Sequence, residues 1–497
     1  MTDIDPHMPV IVGVGEVVDR PASGIGREPA RLMADALRAA EADSGGALLQ
    51  RLDRLDTINE VSWPYADAAG RVAELLGIQP GATDNGPVGG ESPMRHIHRA
   101  ALRIQSGEIA TAAVVGGEAQ SSVRRAAREG HVPPWPAADA GTPGPRAGDA
   151  QRPVTRALEA AMPINVYPLY ENATRAGWRL PFMEAQQESA LLWAGLSAIA
   201  AGRDCAWSTR AFSPDEIATP TPDNRPIAWP YSKLMVANPL VNQGAAVILA
   251  SHGAALAAGL DPARFVYILG GRAAAEPDDL LERESFTAAP AMAHVLDGMT
   301  SLAGDRGFDL VELYSCFPVV PKMARRYLGR AAAQPISVTG GLTFFGAPLN
   351  NYMTHAAVAM TQALRARKER STGLLYGQGG YVTKHHALLL ATFPGEGPLP
   401  DEHCVAPPRQ CFDGPVEETY RGPAIVETYT VLFDRAGQPR HGIVIARTPS
   451  GGRTIARVSA DHADQIAALL DIGREPVGRD GRIDFATDGV SEWRFGD

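Results

Sequence analysis

The chain has 497 residues, of which 45% are hydrophobic and 21% are charged, and its formal net charge is -10. This composition excludes a disordered chain, and the length predicts two to four domains. The sequence contains no long basic run, so its charge disfavours nucleic-acid binding, although a local basic pocket for a nucleotide ligand is compatible with it.

The N-terminal segment lacks the charged region and apolar core of a signal peptide, and no apolar run is long enough to cross a bilayer. Four cysteines are too few for a disulfide framework. Cys404 and Cys411 could pair or bind zinc, but neither a second cysteine pair nor a nearby histidine accompanies them. We therefore expect free thiols, no metal site and a cytoplasmic protein.

Strands and helices alternate over the first 120 residues. Apolar runs closed by glycine, such as PVIVGVGEV and TAAVVGGEA, predict strands. Apolar residues at helical spacing predict helices in EPARLMADALRAAEADSG, AAGRVAELLGI and MRHIHRAALRIQSG. This alternation predicts a layered α/β fold with a largely parallel sheet.

Residues 121–233 interrupt the alternation with proline- and tryptophan-rich stretches around a helical segment, MEAQQESALLWAGLSAIAAG. Because they contain many large apolar residues, we predict a loop domain inserted into a first half, residues 8–258. The second half, residues 264–394, repeats the order of a Gly-Gly turn, a helix and an apolar strand. Three such repeated elements in the same order predict an internally duplicated fold.

The sequence changes character again after about residue 395. The segment FPGEGPLPDEHCVAPPRQ predicts a proline-rich connector. Apolar and polar residues then alternate between glycine-containing turns, with one helix at HADQIAALLDIG. This pattern predicts a small, separate β-rich domain over residues 405–497, either an open barrel or an OB-like one.

Three segments, VELYSCFP, VTGGLTFFGAPLNNYMTHAA and GLLYGQGGYVTKHH, resemble the active-site frames of the thiolase superfamily. Together with the duplication and the insertion, they make the chain similar to thiolase-like protein type 1, in the acetyl-CoA acetyltransferase or sterol-carrier-protein-type branch, which has an extra C-terminal domain. The resemblance implies two βαβαβαββ halves in α/β/α/β/α layers. It also implies an acyltransferase-type activity on acyl-CoA.

The side chains that carry thiolase chemistry are replaced in these frames. The nucleophilic cysteine of the family falls on Gly90, or on Glu91 after a shift of one residue. Its asparagine, its histidine and its acid/base cysteine fall on Tyr314, Ala347 and Tyr376. The Tyr314 phenol could still donate one hydrogen bond to an oxyanion. We therefore expect a thiolase fold without ordinary thiolase activity.

Other residues near the frames are candidates for chemistry. Our catalytic candidates are Glu91, Tyr314, Cys316 and Tyr376. Glu91 could be a general base in an apolar crevice, or it could simply complement the dipole of the following helix. Cys316 could be a nucleophile on the same strand face as Tyr314, or a small buried core residue.

Our candidates for substrate binding are Ser92, His96, Gly346, Gly379, Gly380 and His385. Ser92 could instead be the N-cap of a helix that has Pro93 at its first position. His96 and His98 lie on different helix faces, so at most one can face the crevice. Lys384, His385 and His386 could form a cationic clamp for phosphate or carboxylate, or the exposed edge of a strand turn.

Three functions are compatible with these residues. The first is an enzyme acting on acyl-CoA, with no tightly bound cofactor. The second is a non-catalytic protein that binds coenzyme A or a lipid-like ligand, and the third is a subunit of a hetero-complex that uses the C-terminal domain to contact its partner. Thiolases dimerise through the strand corresponding to TAAVVGG, but the extra domain could block that strand, so a monomer or a homodimer is expected.

Overall fold

The computed structural model describes residues 4–139, 146–400, 411–487 and 489–496. The first half opens with alternating strands and helices, as predicted. Helix α1 begins at a proline and ends before Gly45, whose φ of 77° closes the helix in the left-handed conformation. The elements are β1 (Pro9–Val18), α1 (Pro29–Ser44), β2 (Arg54–Thr57), α2 (Ala68–Leu76), β3 (Ala82–Asn85), α3 (Ser92–Gln105), β4 (Thr111–Ala119) and α4 (Gln120–Glu129).

The inserted segment is mainly helical, and the predicted helix within it is α7. Its elements are α5 (Pro153–Ala157), α6 (Pro163–Gly177), α7 (Phe182–Ala201), α8 (Pro214–Ala218), β5 (Pro226–Ala228) and β6 (Tyr231–Ser232). The chain then returns to the sheet of the first half in β7 (Asn242–Ser251), which is followed by α9 (His252–Ala257).

The second half and the C-terminal region complete the chain. The second half contains β8 (Val266–Ala275), α10 (Pro290–Ala303), β9 (Leu310–Leu313), α11 (Val319–Tyr327), α12 (Tyr352–Arg365), β10 (Thr372–Gly379) and β11 (Lys384–Ala391). The C-terminal region contains β12 (Gly422–Phe433), β13 (Pro439–Arg447), β14 (Arg453–Ser459), α13 (Ala463–Leu470), β15 (Asp480–Phe485) and β16 (Ser491–Phe495).

The two halves share one nine-stranded sheet in the order β3-β2-β4-β7-β1-β8-β11-β10-β9. Read outward from the β1–β8 pair, each half has its first strand, then its last strand and then its parallel strands. These are β4-β2-β3 in the first half and β10-β9 in the second, so the predicted duplication is visible in the strand order. The expectation of a largely parallel sheet is wrong, since β7 and β11 are each antiparallel to both of their neighbours. A short turn connects β10 to β11, and such a turn can join only antiparallel strands.

Helices α3 and α12 form the central layer. They contact each other and the strands of both halves, whereas α1 and α2 pack outside the first half and α10 packs outside the second. This arrangement confirms the predicted α/β/α/β/α layers. Because α3 is covered on both sides, it buries polar residues such as His96 and His98 along with its apolar ones.

The C-terminal strands form a closed barrel in the order β12-β13-β14-β16-β15, since β12 pairs with both β13 and β15. Strands β14 and β16 are parallel, and α13 lies between β14 and β15. This is the OB arrangement, so the OB-like alternative is confirmed.

The barrel is not separate from the rest of the chain, contrary to our expectation. Leu432 of β12 pairs with Ala228, so the β5–β6 hairpin of the insertion extends the barrel sheet. On β13, Ile443 and Ile445 pack in the core of the thiolase-like halves, whereas Val444 and Ala446 pack inside the barrel. Among the described helices, none has both the length and the apolar composition needed to cross a membrane.

Candidate functional site

Gly90, at the position of the family's nucleophile, lies against the end of β9. A Cβ atom placed on Gly90 would lie 2.5 Å from the Tyr314 hydroxyl oxygen and 2.5 Å from the Gln378 carbonyl oxygen. The buried Tyr314 is held in place by its backbone N–H, which donates to the Tyr376 carbonyl at 3.0 Å. The phenol therefore fills the space that a nucleophilic side chain would need.

Glu91 is buried at the start of α3, with its carboxyl group between two glycines. Its Oε2 lies 2.3 Å from a Cβ position on Gly89 and 1.8 Å from one on Gly379, so any side chain at these glycines would displace the carboxyl group. Within the described residues, this Oε2 has no hydrogen-bond partner. Burial raises the pKa of Glu91, against the opposing influence of Lys384. Burial thus favours the protonated form of this carboxyl group, which is the form that can donate a proton.

Asn350 of the second half holds the turn that leads into Glu91. Its Oδ1 accepts the Gly89 N–H at 3.0 Å, and its Nδ2 donates to the Asn59 carbonyl at 2.9 Å. Sequence reasoning missed this residue, and its place in a loop directly before a helix was the only signal. Ser92 is not the N-cap, since Glu91 has that position and Ser92 is the first helical residue. Its hydroxyl group is buried and has no hydrogen-bond partner among the residues that the structure describes.

Cys316 lies in an aromatic cluster beside the crevice. Gln378 Nε2 donates to its Sγ at 3.4 Å and to the Tyr167 hydroxyl at 2.6 Å, and the Tyr167 ring stacks on Phe317 at 4.4 Å. Burial raises the pKa of the Cys316 thiol to about 12. This environment favours the neutral thiol, which is a weak nucleophile.

Tyr376 lies on the other face of β10 from Glu91. A Cβ position on the neighbouring Gly377 is 3.3 Å from the Glu91 Cα, and successive side chains of a strand point to opposite faces. The Tyr376 hydroxyl is instead 2.7 Å from His385 Nδ1, and His385 Nε2 is 3.2 Å from the Val382 carbonyl oxygen. The structure thus pairs these two predicted site residues with each other, away from Glu91.

Two predictions concern Lys384, His385 and His386, a cationic clamp and an exposed strand turn. Both are wrong for the two histidines. Both rings are buried, and burial lowers the pKa of His385 to about 3. His386 Nε2 lies 3.0 Å from His98 Nδ1, and burial and this neighbour hold the pKa of His386 well below its ordinary value. Both imidazoles are therefore neutral at physiological pH.

His96 is packed against the outer part of the first half. Its Nδ1 lies 3.3 Å from Asp56 Oδ2 on β2, and one ligand atom each from Asp56, Asp84 and His96 lie within 4.8 Å of one another. Arg54 forms ion pairs with both carboxylates, at 2.7 Å and 3.4 Å. The single positive charge of the arginine thus offsets one of the two negative charges that a metal ion would neutralise.

Gly346 and Gly380 adopt backbone conformations with positive φ. Gly346 has a φ of 121°, and a Cβ there would lie 2.5 Å from Gln243 Oε1. Gly380 has a φ of 66° in the turn between β10 and β11. These conformations favour glycine whether or not a substrate touches the turns. The described cysteines are free thiols, and Cys404 lies outside the described residues.

The duplicated halves, the central helices and the glycine-rich turns at their ends define a thiolase-like fold. Within this class, residues 412–488 match the family described as the thiolase-like protein type 1 additional C-terminal domain. The chain is also similar over nearly its whole length to a monomeric SCP2-thiolase-like protein type 1 from Mycobacterium smegmatis. That structure aligns with a TM-score of 0.82 and 26% identity, covering 99% of this chain and 100% of that one. The predicted resemblance to thiolase-like protein type 1 is confirmed.

More distant structures share the fold alone. The Ltp2-ChsH2(DUF35) aldolase aligns with a TM-score of 0.58 and 17% identity, over 78% of this chain and 98% of that one. Human mitochondrial 3-ketoacyl-CoA thiolase aligns with a TM-score of 0.57 and 15% identity, over 78% of this chain and 99% of that one. No curated protein sequence matches the chain significantly.

Proposed function

We propose that this thiolase-like protein binds acyl-CoA or a related thioester without catalysing ordinary thiolysis. The observation that carries the proposal is the contact between Gly90 and Tyr314. The nucleophile position has no side chain, and the phenol lies within 2.5 Å of where a Cβ would be. Cys316, the nearest thiol in the frames, is held neutral by burial, which raises its pKa to about 12.

A second candidate is an acyltransferase- or lyase-type reaction on the same thioester, and the state of Glu91 favours it. A buried carboxyl group with a raised pKa and a free oxygen can give a proton to a developing oxyanion or leaving group. Tyr314 could add one hydrogen bond, whereas Cys316 and Tyr376 contribute less, since one is a neutral thiol and the other faces His385.

The proposal extends to the role of coenzyme A, the cellular setting and the oligomeric state. Coenzyme A is a ligand or substrate and not a resident cofactor, and the setting is the lipid metabolism of the cytoplasm.

A monomer agrees better with the fold than a dimer formed through the predicted strand does. The strand TAAVVGG is β4, and both of its edges are already paired, with β2 and with β7. The barrel could still contact a partner protein through surfaces that its own chain leaves exposed.

One experiment separates the two candidates. The full-length protein is titrated calorimetrically with a panel of acyl-CoAs, and the same mixtures are assayed for thiolysis of acetoacetyl-CoA and for release of free coenzyme A. We expect saturable binding, stabilisation against heat by the ligand and no thiolysis. Release of coenzyme A that Glu91→Gln abolishes, and that the exposed control Glu108→Gln leaves unchanged, would establish the second candidate. Thiolysis, or no binding to any acyl-CoA, would refute the proposal.

A further inference from the structure

A cavity of about 390 Å³ lies away from the thiolase-like crevice, where the insertion meets the barrel. Its walls come from the junction of α6 and α7, from the β5–β6 hairpin, from β12 and from residues 471–476. This volume is in the range of small-molecule sites, which is roughly 300–1,000 Å³. The cavity therefore exists only because the C-terminal domain is packed on the insertion.

The walls carry three arginines and two acidic residues. Arg175 is buried and forms an ion pair with Glu475 at 2.6 Å, and Asp471 accepts the N–H of Gly473 in its own turn at 2.9 Å. Both carboxylates thus have partners. Arg179 and Arg474 are exposed, and neither guanidinium forms a hydrogen bond or an ion pair with another described residue. The cavity of this acidic protein therefore presents two available cations, one from each wall.

Arg179 occupies a backbone position that is costly for arginine. Its φ of 55° lies in the left-handed region, which favours glycine and costs other residues on the order of 1 kcal/mol. The glycine at the end of α6 is Gly177, two residues before Arg179, so it does not occupy the left-handed position. An arginine at residue 179 thus keeps a long cationic side chain at the rim at some cost in stability.

Three aromatic residues share the remaining wall with aliphatic ones such as Leu180 and Ile472. Phe182 and Trp229 stack with ring centroids 4.8 Å apart and planes 6° from parallel, and Tyr429 lies beside them. The Arg175 guanidinium carbon is 5.9 Å from the Phe182 ring centroid. The Phe182 ring is thus covered by Trp229 and Arg175, and this cluster presents a partly apolar wall beside two guanidinium groups, which suits a ligand that combines a ring with a negative charge.

We propose that this cavity binds a small organic anion that carries a flat ring, such as a nucleoside monophosphate. Arg179 and Arg474 bind the anionic group, and the wall of Phe182, Trp229 and Tyr429 packs against the ring. The site goes beyond the proposed function, because no residue of the crevice lines it. The ligand is either a free anion of this kind or the nucleotide end of a larger one.

The test uses the full-length protein, with AMP, benzoate and inorganic phosphate as calorimetric probes. We expect AMP to bind with one-to-one stoichiometry and phosphate to bind at least about tenfold more weakly. Arg179→Ala and Arg474→Ala should each weaken AMP by about tenfold or more, since each removes a charge-assisted hydrogen bond. Arg435→Ala, at an exposed arginine in another turn of the barrel, is the matched control and should change nothing. AMP should also quench Trp229 fluorescence, and Trp229→Phe should remove that signal.

Two results would overturn the proposal. One is that neither AMP nor benzoate binds at millimolar concentration, and the other is that both arginine variants bind as the wild type does. Equal affinity for phosphate and AMP would refute the role of the aromatic wall. Competition between AMP and acyl-CoA would show that the cavity holds the nucleotide end of the larger ligand, whereas independent binding would show a separate small ligand. Since Arg179 and Arg474 are exposed, their variants should fold, and a thermal unfolding curve checks this.

Discussion

At the scale of single residues, Gly90 and Tyr314 are complementary. Gly90 has no side chain at the position that the resemblance aligns with the thiolase nucleophile, and Tyr314 places its phenol in the space left free. The sequence predicted each departure from the family separately. It could not show that one compensates for the other, because residues 224 positions apart are brought together only when α3, which follows Gly90, packs against β10, the strand that pairs with β9.

This contact predicts that Gly90→Ala destabilises the protein by about 1–3 kcal/mol. The new methyl group would press on the Tyr314 hydroxyl and on the Gln378 backbone carbonyl, and only the former can move. Urea unfolding measures the change. Gly195→Ala, in α7, is the matched control, because nothing lies within 4 Å of its Cβ position. That variant should be neutral or stabilising by up to about 1 kcal/mol, since alanine favours helix. Equal effects of the two variants would contradict the steric argument.

At the scale of elements, a side chain at the end of β4 holds the segment that follows β2 by hydrogen bonds. Glu118 at the end of β4 accepts the N–H groups of Val61 and Ser62, each at 2.8 Å, and Glu60 accepts the Tyr65 N–H at 2.8 Å. Burial raises the pKa of Glu118 to about 8 and that of Glu60 to about 7. The connection is therefore held by two buried acids, which a sequence pattern cannot distinguish from surface glutamates.

These two acids predict that the protein is less stable in alkaline than in mildly acidic solution. Each has a folded-state pKa above its ordinary value of 4.5, so the folded state binds more protons between that pH and the folded pKa. Below about pH 6.5 the buried His385 and His386, whose pKa is lowered, change the stability in the opposite direction, so the free energy of unfolding should fall as the pH rises from about 6.5 to 8. Urea titrations at several pH values measure this slope.

The matched variant for this prediction is Glu60→Gln. Its amide oxygen can still accept the Tyr65 N–H, and its NH₂ group replaces the unpartnered Oε2. It should stabilise the protein at pH 8 and have little effect near pH 4.5, whereas the exposed control Glu129→Gln should leave the profile unchanged. A flat pH profile of the wild type would contradict the prediction.

At the scale of the whole molecule, the barrel is bonded into the thiolase-like body. Arg453 of β14 is fully buried and donates to the Leu281 carbonyl at 2.9 Å and to Glu427 at 2.8 Å. On the other side, Asn172 of the insertion donates to the Tyr429 carbonyl at 2.8 Å. The appended domain is therefore part of the fold that forms the 390 Å³ cavity.

This attachment predicts that Arg453→Met destabilises the whole chain by about 3–5 kcal/mol. The change leaves the buried carbonyl groups of Leu281 and Arg283 without this donor. Among the described residues, Glu427 then keeps only its ion pair with Arg447, and such a loss costs more than an exposed ion pair contributes. Arg482→Met, which removes an exposed pair with Asp484, is the control and should cost at most about 1 kcal/mol. Equal effects on the midpoint of urea unfolding would show that the barrel folds independently.

The sequence by itself predicted the fold class, the duplication and a small β-rich domain, for which it left an open barrel and an OB-like barrel as alternatives. These depend on periodicity, glycine-rich turns and residue identity, all of which are local along the chain. Only the tertiary structure decided that Tyr376 and His385 pair away from Glu91, that the histidines of the predicted clamp are neutral, and that the barrel is joined to the insertion. Burial, strand face and contacts between distant segments set these properties, because each depends on what the fold places around a residue.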